Sequence, residues 1–217
     1  MSAPPEANTV IAIVIPAYNE EKTIAKVLAG VMQYDHVIVA DDGSSDQTAT
    51  IAAQAGAIVI SHDVNKGYDG ALRSGLLRAI EIGADIAVTI DADGQHNPDN
   101  ITRIVTHMVK NVADCVIGVR PKRARLSEMI FCAYTGLRFG ISDILCGLKA
   151  YRLSVLQNHT ASLARQSAGT AAALAIARTG FKVSEIKIDL RPREDEARIG
   201  GTLKANLYIL KAMLRAL

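Results

Sequence analysis

Short, uninterrupted apolar runs alternate with longer stretches in which apolar residues return every three or four positions. Residues 10–15 form the first run, which Pro16 ends, and 37–40, 57–60, 86–90 and 115–119 are further strand-sized runs rich in Val, Ile and Ala. Helical spacing occupies 21–31, a segment closing near 55, another closing near 82, and 98–110. Asn19 is a candidate N-cap for the first helix, and Ser45 or Asp46 for the second. Unbroken apolar strands alternating with amphipathic helices predict an α/β fold: a mostly parallel sheet flanked by helices on both faces. Ligands in such sheets bind beyond the carboxyl ends of the strands, where Pro16, Asp42 and Asp91 all fall. After residue 120 the pattern changes. Residues 125–138 mix apolar and basic positions at helical spacing, 168–178 is an alanine-rich helix, and 183–190 reads as a strand. Over 203–217, Leu203, Leu207, Leu210, Leu214 and Leu217 make one stripe of an amphipathic helix. The expected organisation is a disordered N-terminal segment (1–9), one domain (10–202) and a C-terminal amphipathic helix (203–217).

Composition narrows this little. A chain of 217 residues holds one sizeable domain with a full core. A net charge of +2 gives no reason to expect nucleic acid, although basic residues crowd two places: Arg120, Lys122, Arg123 and Arg125, then Arg191, Arg193 and Arg198. Three cysteines without a CxxC pair fit small core residues in a reducing compartment. The polar, proline-bearing first residues do not read as a signal peptide, and no run reaches the length of a membrane span. The expectation is a cytoplasmic protein, soluble or peripheral on the inner face of the membrane.

The candidate chemistry centres on residues 86–98, where an apolar strand delivers Asp91 and Asp93 to its end. Residues two apart on a strand point the same way, and a turn at Gly94 lets both acids converge. Carboxylates that close repel unless a cation lies between them. Hard oxygen ligands suit Mg2+ or Mn2+, which in turn suit a diphosphate.

Four motifs stand in order: Pro16-Ala17-Tyr18-Asn19-Glu20, Asp41-Asp42-Gly43-Ser44-Ser45-Asp46-Gln47-Thr48, Asn65-Lys66-Gly67 and Asp91-Ala92-Asp93-Gly94-Gln95. Together they resemble the family 2 glycosyltransferases of GT-A fold, most closely the dolichol- and polyprenol-phosphate mannosyl- and glucosyltransferases. The resemblance spans about 10–204 and makes 10–202 the catalytic domain. It implies that Pro16 and Tyr18, on the first loop, lie against the nucleotide base, a ring face there packing on it. Glu20 and Asp42 suit a base edge or ribose hydroxyls, and Lys66 falls near the nucleotide phosphates, where plain solvent exposure is an equal reading. Asp91 and Asp93 would handle the donor sugar and the metal, with Gln95 a further oxygen ligand; His96 is left as a loop residue. Arg198 matches an arginine that approaches the donor diphosphate, and Arg120, with Arg123 and Arg125, matches the place of an acceptor phosphate. Asp41 is expected to support its turn and Asp46 to cap the following helix.

One position departs from the family pattern. Where many relatives carry an acid proposed as general base, this chain has Thr170. A phosphate acceptor is already an anion and needs no base. The resemblance therefore implies an inverting, metal-dependent transfer of a hexose from a GDP-mannose- or UDP-glucose-type donor, with Asp93, Arg198 and Arg120 as the catalytic set and polyprenyl phosphate as acceptor. A glycan hydroxyl acceptor and a non-catalytic nucleotide-sugar-binding subunit are the alternatives. Either 126–140 or 203–217 could meet a membrane; the leucine stripe otherwise packs on the domain or on another copy of the chain.

Overall fold

The apolar runs do become strands. The computed structural model describes residues 9–121 and 126–191. The order of elements is β1 (Ile11–Ala17), α1 (Ile24–Ala29), β2 (His36–Asp41), α2 (Thr48–Gln54), β3 (Ile58–Ser61), α3 (Gly67–Glu81), β4 (Ile86–Thr89), α4 (Asp99–Lys110) and β5 (Cys115–Val119). It continues with α5 (Leu126–Phe139), β6 (Lys149–Arg152), α6 (Leu153–Leu156), a 3-10 segment (Gln157–Ala164), α7 (Ala168–Arg178) and β7 (Val183–Lys187). The seven strands form one sheet in the order β3-β2-β1-β4-β6-β5-β7. All neighbours run parallel except β6, which is antiparallel to both β4 and β5. Every residue of β1 is buried; because successive side chains point to opposite faces, the sheet is covered on both.

The alternating α/β pattern is borne out, with local corrections. Pro16 does not end the first strand; it lies inside β1, buried and paired in register with Ala40. Val14 faces β4, its carbonyl accepting the Ile90 N–H at 3.1 Å, so Pro16, two residues on, also faces that side. The β4 ladder stops at Thr89, opposite Val14, so the N–H that proline lacks has no partner to lose. Nor does Asn19 cap α1, which begins five residues later; Asn19 takes φ 51° and ties two loops together. Asp46 does serve the start of α2, its Oδ1 accepting the Thr48 N–H at 2.9 Å. The strand β6 has no counterpart in the hydrophobic pattern, because Lys149, Tyr151 and Arg152 interrupt it; tertiary pairing with β4 and β5 overrides local composition. The N-terminal residues 1–8 and the helix expected over 203–217 lie outside the described residues.

All three cysteines are buried, and burial pushes the Cys115 and Cys146 thiols up to about 12. Thiolate is the reactive form. The native protein is therefore expected to leave a thiol reagent such as DTNB unreacted at pH 8, and to release the full complement of three only after unfolding. A rapid native-state burst would contradict this core.

Candidate active site

The loops after β1 and β2 are stitched to each other by side chains that also satisfy backbone groups. The Asn19 N–H donates to Ser44 Oγ at 2.9 Å, and the Ser45 N–H to Asn19 Oδ1 at 2.8 Å. The Glu20 N–H donates to Thr48 Oγ1 at 2.7 Å, and the Glu21 N–H to Asp46 Oδ2 at 3.1 Å. Tyr18 is left exposed at the mouth, whereas Glu20 is buried and its Oε2 receives the Thr23 hydroxyl at 2.8 Å. Asp41 closes its own turn, its Oδ2 accepting the Ser44 N–H at 3.4 Å.

Asp42, 2% exposed, is held from beneath. Its Oδ1 accepts from the Lys66 N–H at 2.8 Å and from His62 Nδ1 at 2.8 Å, while His62 Nε2 meets Ser74 Oγ at 2.8 Å. A carboxylate only accepts, so Nδ1 carries the proton and, in the neutral ring, Nε2 accepts from the serine. This relay fixes one oxygen of Asp42 and leaves the other for a ligand donor. The Lys66 side chain is exposed and, among the described residues, makes no hydrogen bond or ion pair; its backbone N–H holds Asp42.

At the end of β4, Asp91 accepts from the Tyr68 hydroxyl at 3.0 Å on Oδ1 and from His96 Nε2 at 3.3 Å on Oδ2. Burial alone would raise this carboxyl; the His96 and Tyr68 hydrogen bonds and the charge of Lys149 outweigh it and hold Asp91 below the usual carboxylate range. Asp93 is buried, and its Oδ1 accepts the Gln95 N–H at 3.0 Å. Gln95 is half-buried, with its carbonyl accepting the Arg191 N–H at 2.8 Å. Among the described residues, the buried side-chain atoms without a hydrogen-bond partner are Asp41 Oδ1 and His96 Nδ1, both in this site. Buried polar atoms are ordinarily satisfied, so this is where an external partner is missing.

Gly147 lies against Asp91. A Cβ added at Gly147 would stand 2.5 Å from Asp91 Oδ2 and 2.8 Å from Oδ1. Gly147→Ala is accordingly expected to displace the carboxylate and lower turnover about 10²-fold, a loss of the size a misplaced catalytic group produces, while circular dichroism keeps the native signature. Wild-type turnover in that variant would mean that the position of Asp91 is not critical.

On the far side of Asp91, Arg120 grips the buried Asp143: Nε donates to Oδ2 at 2.9 Å, Nη2 to Oδ1 at 2.8 Å, and the Arg120 N–H to Oδ2 at 3.0 Å. Nη2 also reaches Glu128 Oε2 at 3.3 Å, and among the described residues no hydrogen bond falls on Nη1. Glu185 in turn accepts from the Ser142 and Asp143 N–H groups at 2.8 and 3.0 Å, so Asp143 and Glu185 play structural parts. Lys149 was not legible as a site residue. It is buried, donates to the Cys146 carbonyl, and burial lowers its pKa despite the nearby thiols and Asp143. The N-terminus of α7 is capped from α3 by Asp69, whose two oxygens accept the Ser167 and Ala168 N–H groups at 2.8 Å each. Thr170 is buried there, its hydroxyl donating to the Ile144 carbonyl at 3.3 Å.

Of the expected site residues, Tyr18, Glu20, Asp42, Lys66, Asp91, Asp93, Gln95 and Arg120 all lie at or just beyond the carboxyl ends of β1, β2, β4 and β5 or in the loop leading into α3. Pro16 is corrected from the loop to the strand, where it is buried one residue before the end of β1. Arg123, Arg125 and Arg198 lie outside the described residues. His96, left as a loop residue in the sequence, does lie in a loop but donates to Asp91 there. His62, Tyr68, Gly147 and Lys149 were missed; only the Asn65-Lys66-Gly67 motif beside them could have drawn attention to the first two.

The glycosyl transferase family 2 profile matches residues 12–127, the segment that carries these loops. A UDP-N-acetylglucosamine–dolichyl-phosphate N-acetylglucosaminyltransferase of Methanococcus voltae is 34% identical over 182 residues, covering 70% of this chain and 72% of that protein. The chain belongs to glycosyltransferase family 2. An undecaprenyl-phosphate mannosyltransferase of Micrococcus luteus is a further relative, 30% identical over 164 residues, with 66% of this chain and 67% of that protein covered. Among solved structures, glucosyl-3-phosphoglycerate synthase from Mycobacterium tuberculosis, in complex with Mg2+ and UDP, matches with a TM-score of 0.78 at 21% identity, over 97% of this chain and 80% of that one. That likeness establishes the GT-A fold, in agreement with the seven-stranded sheet. The protein is a glycosyltransferase.

Proposed function

We propose that this family 2 glycosyltransferase moves a hexose or N-acetylhexosamine from a nucleoside-diphosphate sugar to polyprenyl phosphate, with inversion, at the cytoplasmic face of a membrane. The observation that carries the reading is the convergence of buried and half-buried carboxylates on the carboxyl ends of β2 and β4. Asp42, Asp91 and Asp93 are held there by hydrogen bonds from the chain, and Asp41 Oδ1 beside Asp42 has no hydrogen-bond partner among the described residues, so base or ribose donors and a cation find acceptors at one strand-end cleft. Relatives named for dolichyl and undecaprenyl phosphate support the acceptor class. So does Thr170, because a phosphate oxyanion attacks without a general base.

The residues fit a hard divalent cation. Asp91 and Asp93 bring two carboxylates, with the Gln95 amide, to the end of β4, a hard-oxygen set of the kind that binds Mg2+ together with substrate phosphates. Asp91 and Asp93, with Gln95, would hold Mg2+ or Mn2+, and the ion would neutralise charge on the departing diphosphate. The chain's own groups do the rest. Tyr18 offers a ring face to the base, and Asp42, fixed by His62, accepts from base or ribose. Tyr68 and His96 orient Asp91 toward the sugar. Arg120, through Nη1, and the neighbouring Arg123 and Arg125 receive the acceptor phosphate, while Arg198 is assigned to the donor diphosphate.

The test is incubation with Mn2+ and a panel of radiolabelled UDP- and GDP-sugars, with and without undecaprenyl phosphate, followed by organic extraction. Label in the lipid phase that depends on the acceptor is the expected result and names the donor. Donor turnover with label only in a glycan or in water would replace the lipid acceptor by a hydroxyl one.

A further inference from the structure

The helix α5 is built inside out. Its outward row is Met129, Ile130, Ala133 and Leu137, with the three large side chains 53%, 49% and 94% exposed. Its inward row carries Ser127, Glu128 and Thr135 along with Phe131 and Cys132, all buried. The outward residues are three, four and seven apart, one continuous stripe on a helix, where a surface helix normally shows charge. The polar inner row has a clear partner, since Glu128 reaches the Arg120–Asp143 pair. The outer row has none among the described residues. At its C-terminal end lies a basic and aromatic rim: Arg138 and Arg178 stand over the Phe139 ring at 5.2 and 5.8 Å from its centroid. Phe181, 40% exposed, and Lys182 border the same hollow. Just before the helix the sequence is basic again, with Lys122, Arg123 and Arg125.

We propose that the outward face of α5, with Arg138 and Arg178 at its rim, docks on an anionic lipid bilayer and brings the Arg120 end of the site to the membrane surface. An apolar row flanked by cationic side chains suits an interfacial helix: the row enters the headgroup boundary and the cations meet lipid phosphates. Charge decides between this occupant and the others. A second copy of the same face would set arginine against arginine, because the one acidic residue of α5, Glu128, points inward. The leucine-striped segment 203–217 carries Lys204, Lys211 and Arg215 and no acid, so it too would bring like charge to this rim. The surface builds on the lipid-acceptor reading, yet the two fail separately.

The test is flotation of the full-length protein with vesicles of phosphatidylcholine, with and without phosphatidylglycerol. Wild type is expected to float with the anionic vesicles and to release as salt rises. Leu137→Glu and Ile130→Glu are expected to lose about tenfold or more in vesicle affinity, and Arg138→Ala about fivefold. All three should keep the wild-type thermal melt and wild-type transfer to a short, water-soluble prenyl phosphate, while losing transfer to vesicle-embedded polyprenyl phosphate. Flotation of wild type without any lipid-linked product would sink the acceptor assignment and leave the surface standing. Absence of wild-type binding to anionic vesicles would overturn the surface. So would unchanged binding by Leu137→Glu, or a wild-type dimer that Leu137→Glu dissolves.

Discussion

Asp93→Asn is expected to abolish transfer almost entirely, with kcat falling about 10³-fold, because the charge that would hold a cation on the donor diphosphate is gone. That fold-change corresponds to about 4 kcal/mol of transition-state stabilisation. The amide keeps an oxygen for the Gln95 N–H, so the turn at Gly94 and the melting temperature should change little. Asp93→Ala removes that acceptor as well and is expected to cost a further ~1 kcal/mol of stability. Calorimetric titration with nucleoside diphosphate and Mn2+ separates the effects. Metal-dependent nucleotide affinity should disappear in both variants, whereas metal-free affinity, which rests on the Tyr18 and Asp42 loops, should survive. Transfer within tenfold of wild type by Asp93→Asn would falsify the metal–diphosphate assignment.

The second large effect belongs to Arg120. Its guanidinium is bidentate on Asp143, whose side chain is 0% exposed, so Arg120→Leu strands a buried carboxylate. Removing one partner of such a pair costs about 3–5 kcal/mol, on the order of 10 °C in Tm for a domain of this size. Arg120→Leu with Asp143→Leu should recover most of that loss, since a well-packed apolar pair replaces a buried ionic one at little cost. The pH dependence has a definite sign. Burial raises the Asp143 carboxyl, but the hydrogen bonds and charge of Arg120 outweigh it and hold its pKa below the ordinary value. The stabilisation is therefore present above the unfolded carboxyl pKa of about 4 and is lost as pH falls through the lowered folded value. The double variant should show a flatter stability profile in that acid window. It also tests the acceptor assignment: restored stability without restored transfer to polyprenyl phosphate means that Arg120 contacts the acceptor.

The parallel half of the sheet was legible because its strands are buried on both faces and so read as unbroken apolar runs. The strand β6 was not, since a buried lysine, a tyrosine and an arginine carry no apolar periodicity; only pairing with β4 and β5 makes Lys149–Arg152 a strand. The acids of the site were legible because their placement follows from strand ends. What lay hidden were the groups that aim them. His62 reaches Asp42 from 20 residues away and Tyr68 reaches Asp91 from 23, separations that no local pattern encodes. Asn19 shows the opposite failure: a plausible cap by composition, it is drawn instead into a left-handed turn that binds Ser44 and Ser45. Gly147 is uninformative as a letter and decisive as a shape.

The place of β6 between β4 and β5 also bears on synthesis. The strands β3, β2, β1 and β4 pair only with one another until β6 emerges, and they come from one continuous stretch of chain. A nascent polypeptide can therefore finish the half bearing Tyr18, Asp42 and Asp91 while β4 still presents an open edge. The later half, with β6, β5 and β7, closes that edge and adds Arg120, Gly147 and Lys149. Until β6 emerges, the unpaired edge of β4 is an open strand edge, the kind of edge at which a partly synthesised chain mispairs.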